Sequence, residues 1–176
     1  MSMLRLSLDL NDLPILSLRT GSEIAITKRP LINPGNLKIE GFYVQDLYEK
    51  KNNLVLVTQD IREILNNGFA VNDHEVLVDP SELHRLKPII EENIILINKT
   101  VITVSRKKLG KLSEFTVDDN SFYIQKIYIS QSLIKNLTGS SLIIERNQIV
   151  EVTYKYVIVK DLEQLVPAGS PAVASY

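Results

Sequence analysis

Any chemistry in this 176-residue chain has to come from a short list of side chains. There are two histidines, His74 within Asn72-Asp73-His74-Glu75 and His84 within Leu83-His84-Arg85. Asp73 or Glu75 beside His74 has the right chemistry to orient a general base. Neighbours on an extended strand point to opposite faces, however, which works against convergence on one reacting atom. There is no Gly-rich nucleophile turn, and no serine stands with a spaced His and Asp in a triad pattern. Asp118-Asp119-Asn120 supplies three consecutive oxygen-bearing side chains, but not the alternating spacing and distal glutamate of a calcium loop. Such a run suits a tight turn, where Asp and Asn bond to their own backbone. Cysteine is absent, so neither a disulfide framework nor a thiolate zinc site can form. The sequence therefore predicts no catalytic residue, no metal and no cofactor.

Binding chemistry is easier to place. Arg106-Lys107-Lys108, with Lys111 close by, is the densest basic cluster and the candidate binding surface. It could clamp phosphate, with Tyr123 or Tyr128 as a stacking platform, and it also suits a solvated turn between strands. Tyr154 and Tyr156 share strand parity and read as half-buried packing. The net charge of −1 is too balanced for a general nucleic-acid binder.

What positions these residues is a repeat. Leu109 to Ile129 follows the pattern of Ile24 to Val44 without a gap, 85 positions later (109 − 24). Ile32/Val117, Leu37/Phe122, Ile39/Ile124, Phe42/Ile127 and Tyr43/Tyr128 match in type, and Asn33-Pro34-Gly35 takes the place of the acidic turn. Leu54-Val55-Leu56 then matches Leu142-Ile143-Ile144 at an offset of 88 (142 − 54), and Val76-Leu77-Val78 is read against Val157-Ile158-Val159 at 81 (157 − 76). Each copy switches the parity of its apolar residues, at Gly41 and at Lys126. Because side chains alternate with period two, a bulge or sharp coil is expected at both.

Other stretches read as follows. Leu4, Leu6, Leu8 and Leu10 alternate with polar residues as in a half-buried edge strand. A short helix is expected within 131–140, a turn of helix from Asp60, a tight turn at Asn66-Asn67-Gly68, and a helical turn from Pro80 that ends at Pro88. Residues 167–176 are small and Pro/Gly/Ser-rich and read as a disordered tail. The aliphatic run Ile94 to Ile97 is too short to span a bilayer, and the N-terminus lacks the apolar core of a signal peptide. No membrane insertion and a cytoplasmic location are expected.

Strands at short, regular spacing, duplicated, predict an all-β chain of two small antiparallel barrels in tandem with short helical turns. The expected division is 1–88, 89–166 and the tail. The run LGKLSEFTVDD…FYIQKIYI, followed by SLIIERNQIVEV…YVIVKD, resembles the PRC-barrel domain, and Leu18 to Val78 looks like a more divergent member. PRC barrels occur in the cytoplasmic part of a photosynthetic reaction-centre subunit and in a ribosome-maturation factor. The resemblance implies an adaptor that binds macromolecules and is not a catalyst. The expected function is a non-enzymatic protein-binding or assembly adaptor. The alternative is an RNA-linked role in ribosome maturation that uses Arg106 to Lys111. The ribosome-maturation factor pairs one PRC barrel with a different barrel, whereas two PRC-like copies stand here.

Overall fold

Runs of β-branched and aromatic residues form the strands, as their fit to a half-buried pleated surface requires. The computed structural model describes residues 3–130, 141–161 and Glu163. Within them the chain is all-β: two seven-stranded sheets and a six-residue helix, α1 (Lys87–Glu92). The short helix predicted within 131–140 and the tail predicted at 167–176 lie outside the described residues. No described helix is long and apolar enough to cross a membrane.

In chain order the strands are β1 (Leu4–Leu6), β2 (Pro14–Ser17), β3 (Glu23–Asn33), β4 (Lys38–Asp46), β5 (Asn52–Val57), β6 (Ile61–Leu65), β7 (Gly68–Val71) and β8 (Leu77–Val78). They continue with β9 (Thr100–Thr103), β10 (Lys108–Asp118), β11 (Ile124–Ser130), β12 (Leu142–Glu145), β13 (Ile149–Val152) and β14 (Tyr156–Val159). The first sheet has the order β6-β7-β2-β3-β4-β5-β8 and the second β13-β14-β9-β10-β11-β12. The duplication is thus repeated strand for strand, down to the parallel pairs β2 with β7 and β9 with β14. Both ladders run as open paths among the described residues, not as closed rings. β1 pairs with β10, so the N-terminal strand belongs to the second sheet.

The strand order also corrects the repeat. β14 is the counterpart of β7, so Val157-Ile158-Val159 match Phe69-Ala70-Val71 and the offset of 88 holds without a gap from Leu54 to Val71. Val76 to Val78 have a separate use: Leu77 and Val78 add strand β8 to β5. The turn of helix predicted from Asp60 is instead a 3-10 turn at Thr58–Asp60, followed at once by β6. Pro88 opens α1 and does not close the preceding turn, consistent with proline's missing N–H being no loss in a first helical turn. Asn66-Asn67 do turn the chain between β6 and β7, though neither has positive φ. Gly68 is needed for closeness: a Cβ there would meet the Pro14 carbonyl oxygen at 2.6 Å.

The parity breaks are bulges. Leu31 pairs with Gly41 while Ile32 pairs with Ile39, leaving Glu40 as the extra residue; Gln125 is extra between Lys126 and Ile124. Each lies one position before the predicted site. Further shifts at Lys28 and Ser113 are again repeat-equivalent. The bulges let Ile39, Phe42 and Val44, and likewise Ile124, Ile127 and Ile129, all point inward.

The two sheets meet about a local two-fold relation. Ile39 N donates to Phe122 O (2.8 Å) and Ile124 N donates to Leu37 O (2.9 Å), with Lys38 opposite Tyr123 between them. Residues 37 and 122, and 39 and 124, are repeat equivalents. Leu37 and Phe122 both adopt left-handed backbone, φ 60° and 59°. Behind this seam, Phe42, Phe69 and Phe122 pack with ring centroids 5.2–6.2 Å apart, and one core runs through both sheets.

The outer faces differ. Leu31, Tyr43, Val55 and Val57 on the first sheet form a second apolar cluster, covered by Leu86 with Leu83, Ile89 and Ile90. Their counterparts in the second sheet are Thr116, Tyr128, Ile143 and Glu145, with a Lys126–Glu145 ion pair at 3.3 Å. A face with polar substitutions of this kind has less need of a cover.

Two measurements test this packing. Phe122→Ala should cost about 3–5 kcal/mol, and urea unfolding should stay a single transition, because the ring serves both sheets. Thr116 Oγ1 is buried without a hydrogen-bond partner among the described residues. Thr116→Val should therefore raise stability by about 1–3 kcal/mol, read as a higher urea midpoint.

Candidate functional site

The predicted basic surface lies on the β9–β10 hairpin. Arg106 has φ 70°, matching Gly21 at φ 69° in the first copy. The turn is tied down by Arg106 N to Thr103 O (2.9 Å) and Lys107 N to Thr103 Oγ1 (3.1 Å), and Ser105 N donates to Asp161 (3.1 Å). The Ser105 hydroxyl bond holds the Asp161 carboxyl below its ordinary range. Arg106, Lys107, Lys108 and Lys111 are all exposed, and none has a side-chain partner among the described residues. The predicted aromatic platform does not join them. The Tyr123 ring lies against Arg146 (4.1 Å) and Lys38 (5.9 Å) instead. Tyr154 is exposed and not packed, with the Lys99 ammonium 5.9 Å from its ring.

His84 is exposed on a 3-10 turn. His74 does find an acid, but neither Asp73 nor Glu75 supplies it: its Nε2 lies 2.9 Å from Oδ1 of Asp46, which is fully buried. Asp46 also accepts the Tyr48 and Glu49 amides (2.9 and 3.3 Å). Burial works against its ionisation, yet the His74 contact and the two amides outweigh that, and the carboxyl sits below its ordinary value. Asp73 is occupied by the His74 backbone N–H, the Ser17 hydroxyl and Arg19. Through these contacts the pair clamps the β4–β5 turn to residues 74–76.

The acidic turn is likewise structural. Asp118 accepts the Ser121 N–H and hydroxyl, both at 2.7 Å. Asp119 forms a two-pronged pair with Arg5 (2.9 and 3.1 Å), whose remaining N–H groups reach the Leu65 and Asn66 carbonyls of the first sheet. No group of three metal-ligating side chains exists among the described residues.

The feature best suited to binding is a groove of about 280 Å³ between the sheets. Pro30 and Ile32 of β3, Phe115 of β10 and the connecting residues 94–97 line it. In the run Ile94 to Ile97, Ile94 and Leu96 are buried while Ile95 and Ile97 are 55% and 36% exposed. Leu8, 71% exposed, also lines it. The rim is firmly set: Ser7 N and its hydroxyl bond the Glu114 carboxylate, and the Thr27 hydroxyl donates to Leu10 O at 2.7 Å. Arg29, stacked 4.0 Å from the Tyr43 ring and bonded to Asn93, is the charged residue of the lining. A cavity this small falls just below the ~300 Å³ at which drug-sized pockets begin, so it suits one or two aliphatic side chains.

The groove leaves little mark in the sequence, because the alternation of the N-terminal leucines is that of a half-buried strand. Leu4 and Leu6 are exposed because Arg5 takes the inward face of β1, and the 3-10 turn at Ser7–Leu10 then breaks the alternation, leaving Leu8 exposed and Leu10 buried. The signal was present at Ile94 to Ile97: four aliphatic residues in an extended segment cannot all face inward.

Asp46 gives a pH prediction. Its folded pKa is depressed, so its contribution is present above the unfolded value of about 3.9 and is lost as pH falls through the folded value. Asp46→Asn should be the less stable protein near neutral pH. The gap to wild type should narrow in urea titrations at about pH 3.

Neither the protein-family models nor the curated proteins contain a match to this chain.

Proposed function

We propose that the chain is a non-enzymatic protein-binding adaptor built from two PRC-barrel-like repeats. The reading is that it acts in the cytoplasm and takes apolar side chains of a partner protein into the groove between the repeats. One observation carries this: Leu8, Ile95 and Ile97 stand exposed around a largely apolar groove, at whose rim Ser7 is held by the Glu114 carboxylate. Exposed aliphatic residues clustered in this way are characteristic of interaction sites, whereas scattered single ones are ordinary. The repeated six-strand order supports the reading of two related units.

An RNA-linked role is the second reading, supported by the exposed cations Arg106, Lys107, Lys108 and Lys111, which have no side-chain partner among the described residues. Neutralised phosphates release counterions, so RNA contact would weaken steeply between about 50 and 200 mM salt.

The two are separated by photo-crosslinking from position 8 or 95, combined with pull-downs of two variants. Leu8→Asp/Ile95→Asp should lose the crosslinked protein while keeping the wild-type melting temperature. Reversing Arg106, Lys107 and Lys108 to Glu should retain it, because exposed charges contribute little to folding and lie away from the groove. RNA recovered with wild type and lost on charge reversal, with the groove variant unaffected, would reject the adaptor reading.

A further inference from the structure

The repeat builds two equivalent clefts beside the seam, each placing the β3–β4-type turn of one copy against the 3-10 turn and following strand of the other. Pro34 to Leu37 face Arg146 and Ile149 to Val152 in one; Asn120 to Phe122 face Thr58, Ile61, Arg62 and Ile64 in the other. Their chemistry has diverged. In the first, Arg146 fills the space, donating to Asn36 O (3.2 Å) and stacking on Tyr123, and about 190 Å³ is left with Glu151 in the lining. In the second, the counterpart of Arg146 is Thr58 (146 − 88), a short side chain whose hydroxyl donates to Glu40 O (3.2 Å). About 440 Å³ is open there.

Into that larger cleft the sequence places two cations that its twin lacks. Lys38 stands where the second copy has Tyr123 (123 − 85), and Arg62 where it has Val150 (150 − 88). The Lys38 ammonium has no hydrogen-bond or ion-pair partner among the described residues. Arg62 donates Nε to Asn72 Oδ1 (3.2 Å), which orients the guanidinium and leaves its outer N–H groups without a partner among the described residues. Gln59 accepts Arg85 through Oε1 (3.3 Å), so its amide N–H₂ is available as a donor, and Asn120 adds a second amide. No carboxylate lines this cleft, and Ile61, Ile64 and Phe122 form an apolar part of the lining.

The geometry points to a binding site for a phosphate-bearing small molecule, held between Lys38 and Arg62 at the seam of the two repeats. Donors here come from β4, from the Thr58–Asp60 turn, from β6 and from the turn before β11. A tetrahedral oxyanion can accept from several such directions at once, whereas a planar carboxylate favours a single two-pronged fork. The site is separate from both the apolar groove and the Arg106–Lys111 hairpin, and does not rest on the adaptor reading.

Inorganic pyrophosphate is the probe, titrated into the full chain by calorimetry and by amide chemical shifts. Shifts should centre on residues 58–62 and 120–122. Lys38→Ala and Arg62→Ala should each weaken binding about tenfold with unchanged melting temperatures, since each loses a charge-assisted contact. Lys107→Ala should leave affinity unchanged. Shifts confined to the 106–111 hairpin, affinity indifferent to both cleft substitutions, or equal binding of succinate would each overturn the assignment. If either alanine variant unfolds, Lys38→Gln and Arg62→Gln take its place, with the same tenfold expectation.

Discussion

Two backbone hydrogen bonds, Ile39 N to Phe122 O and Ile124 N to Leu37 O, join the repeats into one molecule. They can form only because Leu37 and Phe122 both take left-handed backbone, which turns the start of β4 and the start of β11 toward each other. Such a conformation costs on the order of 1 kcal/mol or more for a residue with a Cβ. Burial of the two side chains in the shared core offsets that cost. The seam is self-complementary, as in a two-fold dimer, because each copy offers the same residues to the other. A duplicated chain meets that condition within a single polypeptide.

From this seam the rest follows outward. The paired bulges at Glu40 and Gln125 lie directly beyond it and bend both sheets so that residues of opposite parity share one core. Arg5 closes the arrangement from outside, bridging Asp119 of the second copy to the Leu65 and Asn66 carbonyls of the first. Its guanidinium is nearly buried, so loss of either charge would strand the other.

Much of the acidic chemistry is committed to architecture. Asp46, Asp73, Asp118 and Asp161 each accept a backbone N–H at a turn, and all four carboxyls are held below their ordinary range. Asp73 and Asp161 are repeat equivalents (161 − 88), and each accepts a serine hydroxyl, from Ser17 and Ser105 respectively, so that each fastens the β2 or β9 end of its hairpin to the chain just after β7 or β14. Acids engaged in this way hold the scaffold still. The groove, the cationic cleft and the Arg106–Lys111 hairpin lie outside these committed carboxylates.

The sequence by itself determined the strand content, the duplication, the existence of two parity breaks and the turn role of Asp118-Asp119-Asn120. All of these are local or periodic, and alternation and turn chemistry act over a few residues. It also placed the basic cluster on an exposed hairpin, because a run of like charge cannot be buried cheaply. Only the tertiary structure decided that β1 crosses to the second sheet, that β7 rather than β8 matches β14, and that Asp46 is the partner of His74 from 28 residues away. It alone brought Leu8 and Ile95 into the lining of one groove, and Lys38, Arg62 and Asn120 into that of one cleft. Those juxtapositions depend on how two copies dock, and docking is set by shape and shared burial across the seam, which leaves no periodic mark on the chain.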